Sequence, residues 1–444
     1  MKRVLVLGAG RVARPLVAYM ERLPWVDLTL GTLFPEDGEK LLHGLARGKS
    51  VRLDARDEAA LGRAVGEADL VVSLLPATEH LRVARACLAA GRHMATASYA
   101  GPEIRALDEE ARRKGIVLLN ECGLDPGLDH MSAVRMIRRI HASGGKVLGF
   151  HSWCGGLPAP EANTNPIGYK LSWSPEGVLS AAVRPARYLR DGDVVEVPGE
   201  EIFLHPREVR VPGLGVFEGY PNGDSLPYRD AYDLGEARDL VRGTLRNPGH
   251  CEVWSAWVRM GLLDGERVFE LSGRTWKEFS LLLAGAAGGD PREVLARKAG
   301  LGKEHPALRN LEWLGFFREE PLPLEKGTAR ELLAERMKAL CRFEEGERDM
   351  VVLQHEFRAA WPGGKEGACR SRLAAFGEPG GDTAMARTVS LPLAAAVKLL
   401  LSGEVEARGV LLPVEPRLYE PVLRELEEEG IRFQEEWGGP DGKA

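Results

Sequence analysis

The apolar run Val4-Leu5-Val6-Leu7 breaks at Gly8-Ala9-Gly10-Arg11-Val12-Ala13 and passes at once into a segment with helical spacing. This order of strand, glycine turn and helix constrains the chain more than any other feature. Backbone amides at such a turn reach a pyrophosphate only where side chains are missing, and the helix N-terminus adds partial positive charge. Ala13 stands at the third glycine position, which the fingerprint permits. The alternation continues: strand-length apolar runs fall at 4–7, 27–30, 51–53, 70–73, 93–96 and 116–119, with helical patterns such as 12–23 and 80–90 between them. Six runs, several apolar throughout, predict an α/β fold with a Rossmann-like, doubly wound parallel sheet covered on both faces.

A length of 444 residues predicts two or three domains. After residue 121 the pattern changes, and Gly, Pro, Asn and Trp crowd 122–175, which reads as the entry to a mixed α+β substrate domain. Helical spacing dominates 250–342, at 252–262, 291–298, 307–317 and 328–340, followed by a strand at 350–357. The expected division is therefore a dinucleotide-binding domain at 1–121, a substrate and dimerisation domain at 122–249 and 346–387, and an inserted helical subdomain at 250–345. The segment 388–444, with an apolar helix at 391–401, a strand at 409–413 and a helix at 418–429, is expected to return to the first domain.

No apolar run reaches the ~18–20 residues of a bilayer span, and the first run stops at glycine after four residues, which fits a buried strand better than a signal peptide. The 59 basic and 65 acidic residues are mixed along the chain and give a net charge of −6, so no basic stripe points to nucleic acid. The six cysteines form no C-x-x-C pair, which argues against a metal cage or a disulfide framework. The expectation is a soluble cytoplasmic protein with reduced thiols, no metal and a small-molecule partner.

The second run ends Leu30-Gly31-Thr32-Leu33, without the acid that holds a ribose diol in NAD-preferring folds. This favours NADP(H) over NAD(H), with space at Gly31 and a hydroxyl at Thr32 for the 2′-phosphate, although no basic residue follows at once. Asp54 reads either as an adenine contact or as a solvated loop carboxylate. Ligands of such sheets lie beyond the carboxyl ends of the strands, where Ser73-Leu74-Leu75-Pro76 and Thr96-Ala97-Ser98-Tyr99 fall. Reduction at a carbon–nitrogen double bond needs proton donors, for which Asp125, His130 and Cys154 are the titratable candidates. Asp129 equally suits a cap for a helix beginning at His130, and Cys154 an inert apolar filler.

The glycine turn, together with Gly123 to Met131, Cys154 to Pro160, Asn165-Pro166, Tyr169-Lys170, Ser172-Trp173-Ser174-Pro175, Tyr220-Pro221-Asn222, Arg242 to Arg246 and Asp349-Met350-Val351, resembles the saccharopine reductase family over nearly the whole chain. The resemblance implies a homodimer that joins the aldehyde of 2-aminoadipate 6-semialdehyde to the amine of glutamate and reduces the imine with NADPH. By position it implies Asp125, Cys154 and Tyr99 as catalytic residues. It implies substrate contacts from Ser98, Tyr99, Asp125, Thr244, Leu245 and Arg246, and adds Ser174 to a cofactor set of Gly8, Gly10, Arg11, Val12, Gly31, Thr32, Asp54, Ser73, Leu75 and Ser98.

One departure matters: Gly223 stands where the family has an arginine. Losing one contact to a charged group costs about 1.5–3 kcal/mol, enough to change the amino acid that is bound. A lysine 6-dehydrogenase, a carboxynorspermidine dehydrogenase-like enzyme and a nucleotide-binding scaffold without activity therefore stay open as alternatives.

Overall fold

The computed structural model describes residues 1–439, so residues 440–444 of the C-terminal segment lie outside the described residues. The apolar runs of the first part form parallel strands β1 (Lys2–Leu7), β2 (Val26–Thr32), β3 (Lys49–Arg52), β4 (Leu70–Ser73), β5 (His93–Thr96) and β6 (Val117–Leu119) in the order β3-β2-β1-β4-β5-β6. Burial on two faces explains why β1 is apolar from Val4 to Leu7, after its exposed Lys2 and Arg3: Val4 and Val6 join one core cluster, Leu5 and Leu7 another. Each such side chain, fully buried, contributes about 1.5–3 kcal/mol. Helix α1 (Ala13–Glu21) follows the glycine turn and buries Leu16, Val17 and Met20 against the Val4 and Val6 side. A seventh strand from the far end of the chain, Gly409–Leu411, pairs in parallel with β6.

The second sheet is mixed. Its main path runs Arg207–Val211, Gly215–Pro221, Asp239–Arg246, β7 (Lys146–Pro158), Asp349–Trp361, Lys365–Phe376, Gln434–Glu436, and β7 is parallel to Asp239–Arg246 but antiparallel to Asp349–Trp361. Helix Leu128–Ala142 links the two sheets and packs on β7. Between the strands of this sheet, helices His250–Met260, Trp276–Ala284, Pro291–Ala299, Pro306–Trp313 and Ala329–Leu340 close around an aromatic-rich core of their own.

Helix Ala384–Ser402 starts seven residues before the expected 391–401. Its start is fixed by tertiary bonds that periodicity cannot display: buried Asp349 accepts the amides of Ala384 (2.6 Å) and Met385 (2.8 Å), and Thr383 accepts that of Ala386. Pro392 is carried inside the helix. With 19 residues the helix is long and apolar enough to cross a membrane, which corrects the expectation that no run reaches that length, yet 83% of its apolar window is buried in the protein. It lies against α1, where the Ser390 hydroxyl donates to the Val12 carbonyl. Asp349 of the second sheet thus holds a helix that covers the first.

Asp349→Ala leaves two buried amides without an acceptor and should lower stability by about 2–4 kcal/mol, read as a fall in urea midpoint. An unchanged midpoint would mean that this bond does not hold the two sheets together.

Candidate active site

The glycine turn has the shape that a pyrophosphate needs. Gly8 adopts φ 103°, and a Cβ there would stand 3.1 Å from the Leu74 carbonyl, whereas a Cβ on Gly10 would meet nothing within 4 Å. The turn is therefore tight on the sheet side and open on the other, and α1 points its N-terminus at the opening. Val12 is the N-cap, and Leu75 lies half-buried in the loop beside Gly8. Exposed Arg11 donates to the Leu171 carbonyl (3.2 Å), drawing the 171–174 stretch toward the turn. Ser174 in that stretch caps helix Pro175–Ala181 by accepting from the Gly177 amide.

Other positions differ from their expected use. A Cβ on Gly31 would stand 2.9 Å from Leu53 and 3.0 Å from Leu7, so the space expected for a 2′-phosphate is filled by the core. Thr32 is nearly buried and its hydroxyl accepts from the Phe34 amide. Asp54 is exposed and accepts the Arg56 amide within a turn. Ser73 is fully buried; its hydroxyl meets His80 Nδ1 (2.9 Å), and His80 Nε2 meets the Ser98 hydroxyl (2.7 Å). Burial pushes His80 down to about 4, so the ring is neutral and links the two hydroxyls through one donor and one acceptor nitrogen. Ser98, half-buried, is the member of this chain at the cleft.

The centre of the site is Arg242, from strand Asp239–Arg246. Its Nη2 donates to Asp125 Oδ1 (2.7 Å), Asp129 Oδ2 (2.5 Å) and the Tyr99 hydroxyl (3.2 Å), and Tyr99 donates to Asp125 (2.7 Å). Tyr99 is 38% exposed, so the cluster opens to the cleft at that ring. The two carboxyl groups part company. Burial raises Asp125 above the ordinary carboxylate range against the pull of Arg242. Asp129 is equally desolvated, but His130, Arg242 and the Gly127 amide (2.6 Å) together hold it low. Helix Leu128–Ala142 begins at Leu128, so Asp129 sits in its first turn and spends its second oxygen on Arg242.

Behind this pair lies a second buried layer. His130 Nε2 donates to Glu121 (2.9 Å), its Nδ1 meets the Tyr232 hydroxyl, and Glu121 also accepts from Tyr228 (2.9 Å), Arg105 (3.2 Å) and the Ala100 amide (3.0 Å). Burial raises Glu121, but these bonds outweigh it and keep the group below its usual value. Glu121 was not singled out from the sequence, and Arg242 was named only as the first residue of the Arg242 to Arg246 motif, without a role. Arg242 was legible by strand parity with Thr244 and Arg246; Glu121, at φ 57°, carries no local signal.

Cys154 pairs in register with Thr244, which puts both on the face that carries Arg242 and Arg246. Burial, then the fields of Asp125 and Asp129, push its thiol well above the normal range, so it stays neutral. Leu245 points the other way, into a cluster with Trp153 and Leu157, and offers the site only its backbone. Arg246 lies half-buried over the Tyr169 ring at 5.1 Å and donates to the Leu245 carbonyl. Among the described residues no carboxylate pairs with it, and its buried Nε has no partner.

Residues 4–119 match the saccharopine dehydrogenase NADP binding domain, and 123–431 the saccharopine dehydrogenase C-terminal domain. The chain is 36% identical over 447 residues to the saccharopine dehydrogenase [NADP(+), L-glutamate-forming] of Schizosaccharomyces pombe, covering 98% of this chain and 99% of that one. It is 37% identical to the mitochondrial alpha-aminoadipic semialdehyde synthase of Bos taurus, spanning 47% of that longer protein. Among solved structures, the apo saccharopine dehydrogenase (L-Glu forming) of Saccharomyces cerevisiae superposes with a TM-score of 0.89 at 35% identity, over 98% of this chain and 99% of that one.

Arg242→Gln would leave Asp125 and Asp129 without their shared cation, and should cost about 3–5 kcal/mol at neutral pH. The sign follows from linkage: a carboxyl raised in the folded state is penalised above its folded pKa and relieved below it. The deficit relative to the parent should therefore shrink between pH 7 and pH 5 in denaturant titrations. A deficit independent of pH would assign the loss to packing.

Proposed function

The chain belongs to the saccharopine dehydrogenase family, and on that premise we propose that it interconverts saccharopine with glutamate and 2-aminoadipate 6-semialdehyde. In the oxidative direction the secondary amine loses a hydride and a proton to give an imine, and water then adds and the C–N bond breaks. NADP(H), when bound, accepts or returns the hydride. The open Gly10 side of the turn and the N-terminus of α1 fit its pyrophosphate. In this reading residues 1–121, joined by Gly409–Leu411 of the C-terminal segment, hold the cofactor, 122–249 with 346–387 and the returning strand Gln434–Glu436 form the substrate wall, and 250–345 backs it.

The observation that carries the proposal is the parting of Asp125 and Asp129 on one arginine, beside a partly exposed tyrosine. Asp125 exchanges the proton as general acid or base, while Arg242 and Tyr99 fix its orientation. Cys154, neutral, lines the wall and is no nucleophile, since the thiolate is the reactive form. Arg246, a half-buried cation with no carboxylate partner among the described residues, grips one of the substrate's carboxylates. The family resemblance carries a homodimer with it, and cytoplasmic residence is supported by the free thiols, which fit a reducing compartment.

Gly223 has φ 64°, and its Cβ position lies 3.6 Å from Cδ of Arg184, an exposed side chain with no hydrogen bond or ion pair among the described residues. Arg184 takes the place of the family arginine as a second carboxylate grip. This favours the three-carboxylate substrate over lysine. The direct test is NADP⁺ reduction with saccharopine, with glutamate measured as product; faster reduction with lysine and release of ammonia would overturn the assignment.

Asp125→Asn should lower kcat by ~10²–10⁴-fold with NADPH affinity unchanged, and Cys154→Ala should cost less. For imine reduction the parental rate should fall as pH rises through the raised Asp125 value, and the Asn variant should lack that limb. Parental turnover in Asp125→Asn would place the acid elsewhere.

Arg184→Ala should raise the KM for saccharopine by ~10–100-fold at unchanged kcat. Gly223→Arg should restore it in that background and give little in the parent, where the site is already filled and φ 64° strains a side chain. Normal saccharopine binding in Arg184→Ala would remove this grip.

A further inference from the structure

The cofactor reading leaves the 2′-phosphate without a cation, because β2 ends Leu30-Gly31-Thr32-Leu33 and the Gly31 side is packed by Leu7 and Leu53. The neighbouring strand supplies one. β3 is parallel to β2, and its last residue, Arg52, stands directly opposite Thr32 in register. Side chains alternate along a strand, so Arg52 shares a face with Ser50. The Ser50 hydroxyl donates to the Pro35 carbonyl (2.9 Å), which shows that this face looks onto helix Pro35–Leu42, and Arg52, one step nearer the carboxyl ends, stands at its lip.

Arg52 is exposed, and among the described residues it has no hydrogen bond to its side chain and no ion pair. Of the nearby acids, Asp37 is taken by Lys40 (3.0 Å) and Asp54 by its own turn. Leu33 and Phe34, 48% and 59% exposed just beyond Thr32, provide apolar surface at the same lip. In folds of this type the adenosine half lies over the carboxyl end of β2, and a nearby arginine is what accommodates a 2′-phosphate.

We propose that Arg52 selects NADP(H) by binding the 2′-phosphate across the end of β2, with Thr32 beneath it and Leu33 and Phe34 beside the adenine. The guanidinium reaches from the neighbouring strand, so the selecting charge is absent from the loop that directly follows β2. The inference rests on the NADP(H) reading of this site, not on the identity of the amino acid.

The test is fluorescence titration of the intact enzyme with NADPH and NADH, and competition by 2′,5′-ADP and 5′-AMP, with no amino acid present. Arg52→Gln should weaken NADPH and 2′,5′-ADP by ~10–100-fold and leave NADH and 5′-AMP unchanged, with the melting temperature of the parent. Thr32→Asp, which puts a carboxylate opposite Arg52, should show the same one-sided loss. Equal weakening of all four ligands, or no weakening of NADPH in a parent that discriminates, overturns the role of Arg52. A parent that binds neither reduced cofactor would instead remove the NADP(H) reading itself, and with it this inference.

Discussion

Arg242 is the joint on which the site depends. It comes from a strand of the second sheet, and its partners Asp125 and Asp129 come from the loop and helix that leave β6 of the first. Three acceptors converge on one nitrogen at the seam, in surroundings where an unpaired charge is expensive. The ion pair therefore fixes how the two sheets meet as well as how the carboxyl groups face. It also gathers rings: Tyr228 lies 4.2 Å and Tyr99 5.7 Å from the guanidinium carbon, so the cation rests against aromatic faces where water would otherwise reach it.

The second layer explains how so many ionisable groups stay buried. Glu121 takes bonds from Arg105, His130, Tyr228 and a backbone amide, so each oxygen has at least two donors. His130 then presents its other nitrogen to Tyr232 and lies 3.4 Å from Asp129. Satisfied networks of this kind rigidify a core, whereas a half-satisfied one would destabilise it. Helix Leu128–Ala142 carries both Asp129 and His130, and its dense packing on β7 turns local rigidity into a fixed position for the carboxyl group that faces Arg242.

The first sheet was legible in the sequence because its strands are covered on both sides, which writes an apolar residue at nearly every position of Val4 to Leu7 and Leu70 to Val72. The second sheet was not. β7 hides in a glycine- and proline-rich stretch, since Gly155 must let the Leu245 carbonyl approach to 2.6 Å of where a Cβ would be. Strands such as Arg207–Val211 carry charges on an exposed face and lack an apolar run. At the site, Asp125 and Cys154 were legible as titratable groups and Tyr99 as a residue beyond a strand's carboxyl end, the resemblance adding their joint role, and the structure brings them to the same cluster or face. A strand presents alternate residues, so Arg242, Thr244 and Arg246 share the face of the site and Leu245 borders it through its backbone alone. Glu121 and His80 are joined to their partners only by tertiary folding.

Two carboxyl groups on one cation divide the work between them because their remaining neighbours differ. Asp129 has a backbone amide, a histidine and the arginine, all favouring its charged form, and lies in the closed layer. Asp125 has the arginine and a tyrosine hydroxyl, and burial wins. When environments push two acids apart in this way, the lower one serves as fixed charge and the higher one as proton carrier. Tyr99, partly exposed above Asp125, is where the cluster meets the cleft, whereas Glu121, His130 and Asp129 are buried almost completely. In the proposed reaction a proton entering or leaving Asp125 passes by the partly exposed Tyr99 side, with the buried layer of Glu121, His130 and Asp129 behind it.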